Sequence, residues 1–280
     1  MRIATWNVNS IRARIDRVVA YLEAADVDVL AIQETKVAAD AFPREPFEAA
    51  GYEVAASGVN QWNGVAVISR LGVDDAVPSF PGQPTFGDPP ALEPRALGVT
   101  CGGVRVWSLY VPHGRGADDP HMAYKLAWLR ALADQARGWL AEAPGAAIAL
   151  LGDWNVAPLD TDVWDVAHFA GITHVSPAER AAFAAFGEAG FREVTREFIP
   201  ARHQYTQWDY QAGRWHRDQG MRIDFACCSP ALADAVTAVR IVRDERAGRG
   251  ASDHVPVEID VADAGTVGGR LSGANGGQLG

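Results

Sequence analysis

A chain of 280 residues can hold one large domain or two ordinary ones, and 48% hydrophobic with 21% charged residues is the profile of a globular protein with a sizeable core. A formal net charge of −10 counts against a basic footprint spread over nucleic acid, but not against a metal-centred site, where carboxylates surround an ion whose field dominates locally. No apolar run approaches the ~18 residues that span a bilayer, and no charged-then-apolar leader opens the chain, so a cytoplasmic protein without membrane association is expected.

Residues 3–7 read as a short strand that stops at Asn-Val-Asn-Ser. Ser10 is placed to cap a helix in which Ile11, Ile15, Val18, Val19 and Leu22 recur at helical spacing. Residues 27–32 form a near-continuous apolar run, typical of a buried strand, and end abruptly at Gln33-Glu34-Thr35-Lys36. Strands follow over 65–68 and 104–111, separated by a Pro- and Gly-rich surface loop at 78–94. Residues 122–140 are the clearest amphipathic helix, with Met122, Leu126, Leu129, Leu132, Ala133, Ala136 and Leu140 on one face. A strand over 148–151 runs into Gly152-Asp153-Trp154-Asn155. A helix over 177–186 and strands over 222–228 and 255–261 complete the pattern. Residues 1–262 are therefore read as one catalytic domain and 263–280 as a Gly-rich, disordered tail.

Lysine is represented only by Lys36 and Lys125, so phosphate contacts fall mainly to arginine. The three cysteines (Cys101, Cys227, Cys228) make no even framework and read as small buried apolar side chains in a reducing compartment. Trp6-Asn7-Val8 and Trp154-Asn155-Val156 each close an apolar strand, as two related halves meeting in one cleft would.

A lone Asp at a strand end is more often a cap or turn former than a catalyst. Here, however, Asn7, Glu34, Asp153 with Asn155, and Asp224 end or begin buried strands, and Ser252-Asp253-His254 precedes the last one. Carboxylates gather at a buried edge only when something neutralises them. Oxygen-rich ligands without cysteine favour Mg²⁺, with Mn²⁺ as substitute, over zinc. His254, flanked by Asp253, is suited to contacting an anionic phosphate if a carboxylate keeps it protonated. Spacing alone leaves phosphomonoester, phosphodiester and sugar chemistry open.

The blocks from Trp6 to Ala13 and from Gln33 to Lys36, with Tyr110-Val111-Pro112, Gly152-Asp153-Trp154-Asn155, Arg222-Ile223-Asp224 and Ser252-Asp253-His254-Val255-Pro256-Val257, occur in one order over residues 2–261. That ordered set resembles the exonuclease III family of apurinic/apyrimidinic endonucleases, which includes bacterial exodeoxyribonucleases, within the deoxyribonuclease I-like endonuclease/exonuclease/phosphatase superfamily. The resemblance implies a four-layer α/β sandwich, two packed mixed sheets flanked by helices. It implies a monomeric DNA repair hydrolase that cuts 5′ to abasic sites and has 3′-5′ exonuclease and 3′-end trimming activity. Its partner would be double-stranded DNA with abasic sites or blocked 3′ ends.

By the same resemblance Glu34 would hold Mg²⁺ with Asn7 and Asp253 close by, Asp153 would activate or orient water, and Asn155 would fix its geometry. His254, oriented by Asp224, and Tyr110 would contact the scissile phosphate; whether Asp153 or His254 is the base stays open. Gln207, Trp208, Met221 and Ile223 would line the pocket for an extruded sugar, and Arg12, Lys36, Trp62, His113 and Arg115 would meet DNA. Three departures from the family pattern stand out: Gln207 replaces an aromatic, His113 replaces an amide, and residues 160–168 are acidic where relatives often place basic or amide residues. Two rival readings are a superfamily hydrolase of inositol phosphates, sphingomyelin or RNA, and an inactive relative retained for binding. The Gln-Glu-Thr-Lys and Arg-Ile-Asp blocks weigh against the first, and the complete polar set against the second.

Overall fold

The computed structural model describes residues 1–262; the expected tail at 263–280 lies outside the described residues. In chain order the strands and helices are β1 (Arg2–Asn7), α1 (Ile11–Ala24), β2 (Val29–Gln33), α2 (Glu45–Ala49), β3 (Glu53–Ser57), β4 (Val65–Ser69), β5 (Asp74–Val77), β6 (Ala96–Cys101), β7 (Val104–Tyr110), α3 (Pro120–Glu142), β8 (Ile148–Asp153), α4 (Pro177–Glu188), β9 (Arg192–Glu193), α5 (Val194–Phe198), β10 (Asp224–Cys228), α6 (Pro230–Ala233), β11 (Val236–Ile241) and β12 (Val257–Val261). They form two six-stranded sheets, ordered β11-β12-β1-β2-β4-β3 and β5-β6-β7-β8-β10-β9. Each sheet holds one parallel pair, β1–β2 or β7–β8, among antiparallel neighbours. The expected sandwich of two mixed sheets flanked by helices is what forms.

Period-two alternation builds the layers. Ile3, Val29, Ala31, Val65 and Val67 of the first sheet meet Val106, Ala149, Leu151 and Ala226 of the second in one inner core. The alternate residues face outward: Ala4, Trp6, Leu30 and Ile32 pack under α1, and Trp107, Leu150 and Phe225 under α3 and α4. The vicinal cysteines obey the same rule, Cys228 pointing inward and Cys227 outward, both buried and free. Trp6 and Trp154 occupy equivalent places, each indole N–H donating to a backbone oxygen, of His254 (3.0 Å) and Phe225 (3.1 Å) respectively.

Several expectations need correction. Ser10 does not cap α1: its φ is 96° and its side chain makes no capping bond. The helix start is instead tied down by the loop after β2, whose Glu34 and Thr35 oxygens accept from Ser10 N–H (2.7 Å) and Ile11 N–H (3.1 Å). Helix α3 is longer than expected and buries Tyr124, Lys125 and Trp128 besides Met122, Leu129, Leu132, Ala133 and Ala136 of the predicted stripe, whose Leu126 and Leu140 are half-buried. Its start is capped by Asp119, which accepts from His121 N–H at 2.8 Å. Strands β3, β5, β6, β9 and β11 were not expected. Of these, β3, β5 and β11 are half-buried or exposed edges and β9 has two residues, so these four carry no strong alternating signal, whereas β6 is a buried strand inside its sheet. No described helix is long and apolar enough to cross a membrane.

Candidate active site

The polar strand ends continue the inner rows of the sandwich. Ile3, Thr5 and Asn7 share one face of β1, and Ala149, Leu151 and Asp153 share one face of β8, so Asn7 and Asp153 emerge where the inner core opens. Register then aligns their neighbours. Asp153 pairs with Tyr110 across β7–β8 and with Asp224 across β8–β10, while Asn7 pairs with Gln33, the residue before Glu34. Gly152 permits this packing: its φ is 154°, and a Cβ there would stand 1.9 Å from the Leu109 backbone oxygen.

Across the cleft, Asn7 Nδ2 donates to both Glu34 Oε1 and Asp153 Oδ2, each at 2.9 Å, and so joins the two sheets. His254 Nδ1 faces Asp224 Oδ2 at 2.9 Å, and its Nε2 lies 3.8 Å from Asp153 Oδ2. Asp224 is itself held by the Thr206 hydroxyl, which donates to Oδ2 at 2.6 Å. Asn155 N–H donates to Asp153 Oδ1 and its side-chain amide to Val111 O, both at 2.9 Å. Asp153, Asn155, Asp224 and His254 are all buried.

Burial pushes the Asp153 carboxyl up to about 7; His254 opposes this, while Asp224 and Glu34 add to it. Burial alone would lower the His254 imidazole, but Asp224 and then Asp153 outweigh it and raise the ring to about 10. Burial likewise lifts Asp253, yet His254 and Asn9 bring it below the ordinary carboxylate value. The Tyr110 phenol is pushed well up by burial and by Glu34. Near neutrality the cleft thus offers an imidazolium for a phosphate oxygen and a carboxyl poised between base and acid, the pairing that hydrolytic chemistry requires.

For a cation, the donors around Glu34 are oxygen-rich, and Lys36 Nζ, 2.8 Å from Glu34 Oε2, already places a positive charge there. Asp153, Asp224 and His254 also bring ligand atoms within 4.8 Å of one another. A protonated imidazole has no lone pair to give, so the Glu34 side fits a hard cation better. The Asn7 amide nitrogen lies between the carboxylates of Glu34 and Asp153, and its oxygen accepts from Asn9 N–H at 3.0 Å. Asp253 sits one residue from His254, with Oδ1 accepting from Asn9 Nδ2 at 2.9 Å.

The residues expected at DNA are scattered. Arg12, Trp62, His113 and Arg115 are exposed; Lys36 is half-buried and paired with Glu34. Gln207 and Met221 line a cavity of about 290 Å³ with His113, Arg115, Trp164 and Arg214. Trp208 and Ile223 do not line it and are buried. Trp208 donates to Asp218 at 3.0 Å, and Ile223 packs against Ala157, Val163 and Phe169. The acidic segment is largely paired, Asp160 with Arg180 at 2.8 Å and buried Asp162 with Arg196 at 2.7 Å, so it presents less free negative charge than its composition implies. Asn9 and Thr206 were given no role from sequence; Asn9 lies inside the opening block, while Thr206 has no local signal.

A model of the Endonuclease/Exonuclease/phosphatase family matches residues 4–254. The chain is 29% identical to the exodeoxyribonuclease of Bacillus subtilis (strain 168), covering 92% of this chain and 98% of that protein. Among solved structures it resembles the 3′ phosphatase NExo from Neisseria bound to a product DNA hairpin, with TM-score 0.87, 34% identity and coverage of 93% and 99%. It also resembles an AP endonuclease from Archaeoglobus fulgidus, with TM-score 0.85, 32% identity and coverage of 93% and 99%.

Proposed function

The chain belongs to the Endonuclease/Exonuclease/phosphatase family, and from that premise we propose that this DNA repair nuclease hydrolyses the phosphodiester 5′ to abasic sites and trims 3′ ends with the same cleft. One observation carries the reading. A single buried constellation drawn from both sheets sets a carboxyl near 7 (Asp153) beside an imidazolium (His254), with Glu34 facing them through Asn7.

In this reading Asp153 takes a proton from water, and the resulting hydroxide attacks phosphorus. The bond to the 3′ oxygen breaks, the departing oxygen takes a proton from solvent, and the products are a 3′-hydroxyl and a 5′-phosphate. Asn155 orients the water, while His254 and Tyr110 face the phosphate oxygens. Asp224 keeps the imidazole charged and its Nε2–H directed at the substrate. Magnesium, or manganese in its place, held by Glu34 with Asp253 near, would supply charge stabilisation on the phosphate. Arg12, Arg115 and Trp62 offer exposed contacts for a DNA backbone and groove, and Gln207 and Met221 a wall for an extruded sugar. The enzyme acts as a monomer on double-stranded DNA. Its buried free thiols suit a reducing compartment, and a cytoplasmic location is proposed.

The test is a pair of duplexes with Mg²⁺, one carrying an internal tetrahydrofuran site and one a 3′-phosphate end. Incision of the first and release of phosphate from the second are expected. Turnover of a soluble phosphoester with neither DNA processed would overturn the assignment.

A further inference from the structure

Lys125, one of the two lysines of the chain, is fully buried on α3 and cannot reach a phosphate. Its ammonium donates to the backbone oxygens of Asn155 (2.6 Å) and His113 (3.1 Å) and to Thr173 Oγ1 (3.0 Å). It also pairs with Glu179 Oε1, on α4 and equally buried. Glu179 is saturated in turn, accepting from the Thr173 hydroxyl (2.7 Å), His174 N–H (2.8 Å) and Ser176 N–H (3.0 Å). His174 Nδ1 lies 2.7 Å from the Asn155 oxygen, and because a carbonyl only accepts, that nitrogen carries the proton. Gly114 completes the cradle: its φ is +92°, and a Cβ there would come within 3.0 Å of Lys125 Cδ.

A buried ion pair is a weak way to hold two helices together, since desolvation offsets most of the attraction and apolar residues of similar volume do as well. What the cation adds is several N–H donors aimed at fixed oxygens. The two backbone oxygens it takes belong to the segments leaving β7 and β8, just past Tyr110 and Asp153. Asn155 has a left-handed φ of 51°, and its own N–H and side chain hold Asp153 and Val111. A shift of its carbonyl therefore moves both of those contacts.

We infer that Lys125 and Glu179 form a positioning pair that fixes the Asn155 backbone, and through it the aim of the Asp153 carboxylate, without touching substrate. The inference rests on the role proposed for Asp153, and the test separates the two. Lys125→Met alone would strand Glu179 as a lone buried anion, so both charges are removed together in Lys125→Met/Glu179→Gln. kcat, KM and Tm are measured with Mg²⁺ on the 3′-phosphate duplex for the parent, Asp153→Asn, the double variant and the triple. The double variant is expected to keep a cooperative melt and a KM within about threefold of the parent while kcat falls at least ~tenfold. Added to Asp153→Asn, the same pair of changes should cost no more than about threefold, because the pair acts through the aim of the Asp153 carboxylate. A folded double variant with parental kcat, or a loss that multiplies in full onto Asp153→Asn, overturns the inference. Parental turnover in Asp153→Asn itself overturns the role proposed for Asp153 and the inference with it. Lys125→Arg keeps the charge while displacing the donors. It is run in parallel against the same two overturning results, so instability of the double variant leaves the test intact.

Discussion

Asp224→Asn isolates the charge that keeps His254 protonated. Lifting the ring from 6.5 to about 10 corresponds to about 5 kcal/mol in favour of the imidazolium, achieved by Asp224 and Asp153 against the burial that opposes it. An asparagine oxygen in the place of Oδ2 can still accept from His254 Nδ1–H and from the Thr206 hydroxyl, so the local geometry has what it needs. The Asp224 charge is gone, however, and burial remains, while Asp153 and Asp253 still favour the charged ring, so the ring should titrate well below the parent's value of about 10. Its charged fraction then falls at alkaline pH, and kcat is expected to drop at least ~tenfold at pH 9, with a smaller deficit at pH 6.5. A stability effect of defined sign accompanies it. A raised imidazole contributes stability that is complete below its unfolded value near 6.5 and is lost as pH climbs toward about 10. The variant should lack that alkaline loss. Initial rates between pH 6 and 9.5 at saturating Mg²⁺, with the His254 ring followed by NMR, measure both. A pH–rate profile parallel to the parent's, or a ring still protonated at pH 9 in the variant, would refute the reasoning.

Glu34→Gln should leave the melt unchanged but raise the Mg²⁺ needed for half-maximal rate at least ~tenfold, read from rates against free Mg²⁺. Glu179, held down at about 2 by Lys125 and its hydrogen bonds despite burial, contributes stability that is present above its unfolded value of 4.5 and lost as pH falls from there toward 2. The loss has an upper bound of about 3 kcal/mol, because burial of Lys125 works against the pair, and urea midpoints across that window for parent and Lys125→Met/Glu179→Gln measure it. Gly152→Ala drives a Cβ into the Leu109 carbonyl and should cost at least ~3 kcal/mol; a Tm within a degree or two of the parent would refute the close β7–β8 approach at that point.

The core strands and the polar strand ends were legible because both are written locally. Residues 27–32, 148–151 and 222–228 are apolar runs, and each carries a polar group where it starts or stops. Strand parity even places Asn7, Asp153 and Asp224 on the inner rows. The helix over 177–186 was equally plain, with Ser176 and Glu179 capping its first turn. Edge strands such as β5 are exposed along their length and so lack the alternation that marks a half-buried strand. Ser10 had a capping residue's identity without its conformation, which the neighbouring β2 loop imposed.

Composition named two lysines but could not tell that one pairs with Glu34 and the other lies between two helices under the strand ends. Nor could it tell that Trp208, expected at the sugar pocket, is buried. The sequence by itself determined which groups reach the open end of the sandwich. Only the tertiary structure decided their protonation, since Asn7 and Asp153 are 146 residues apart and Asp224 and His254 are 30 apart, yet meet at 2.9 Å. A pKa depends on distance and burial, and neither exists until the two sheets have packed.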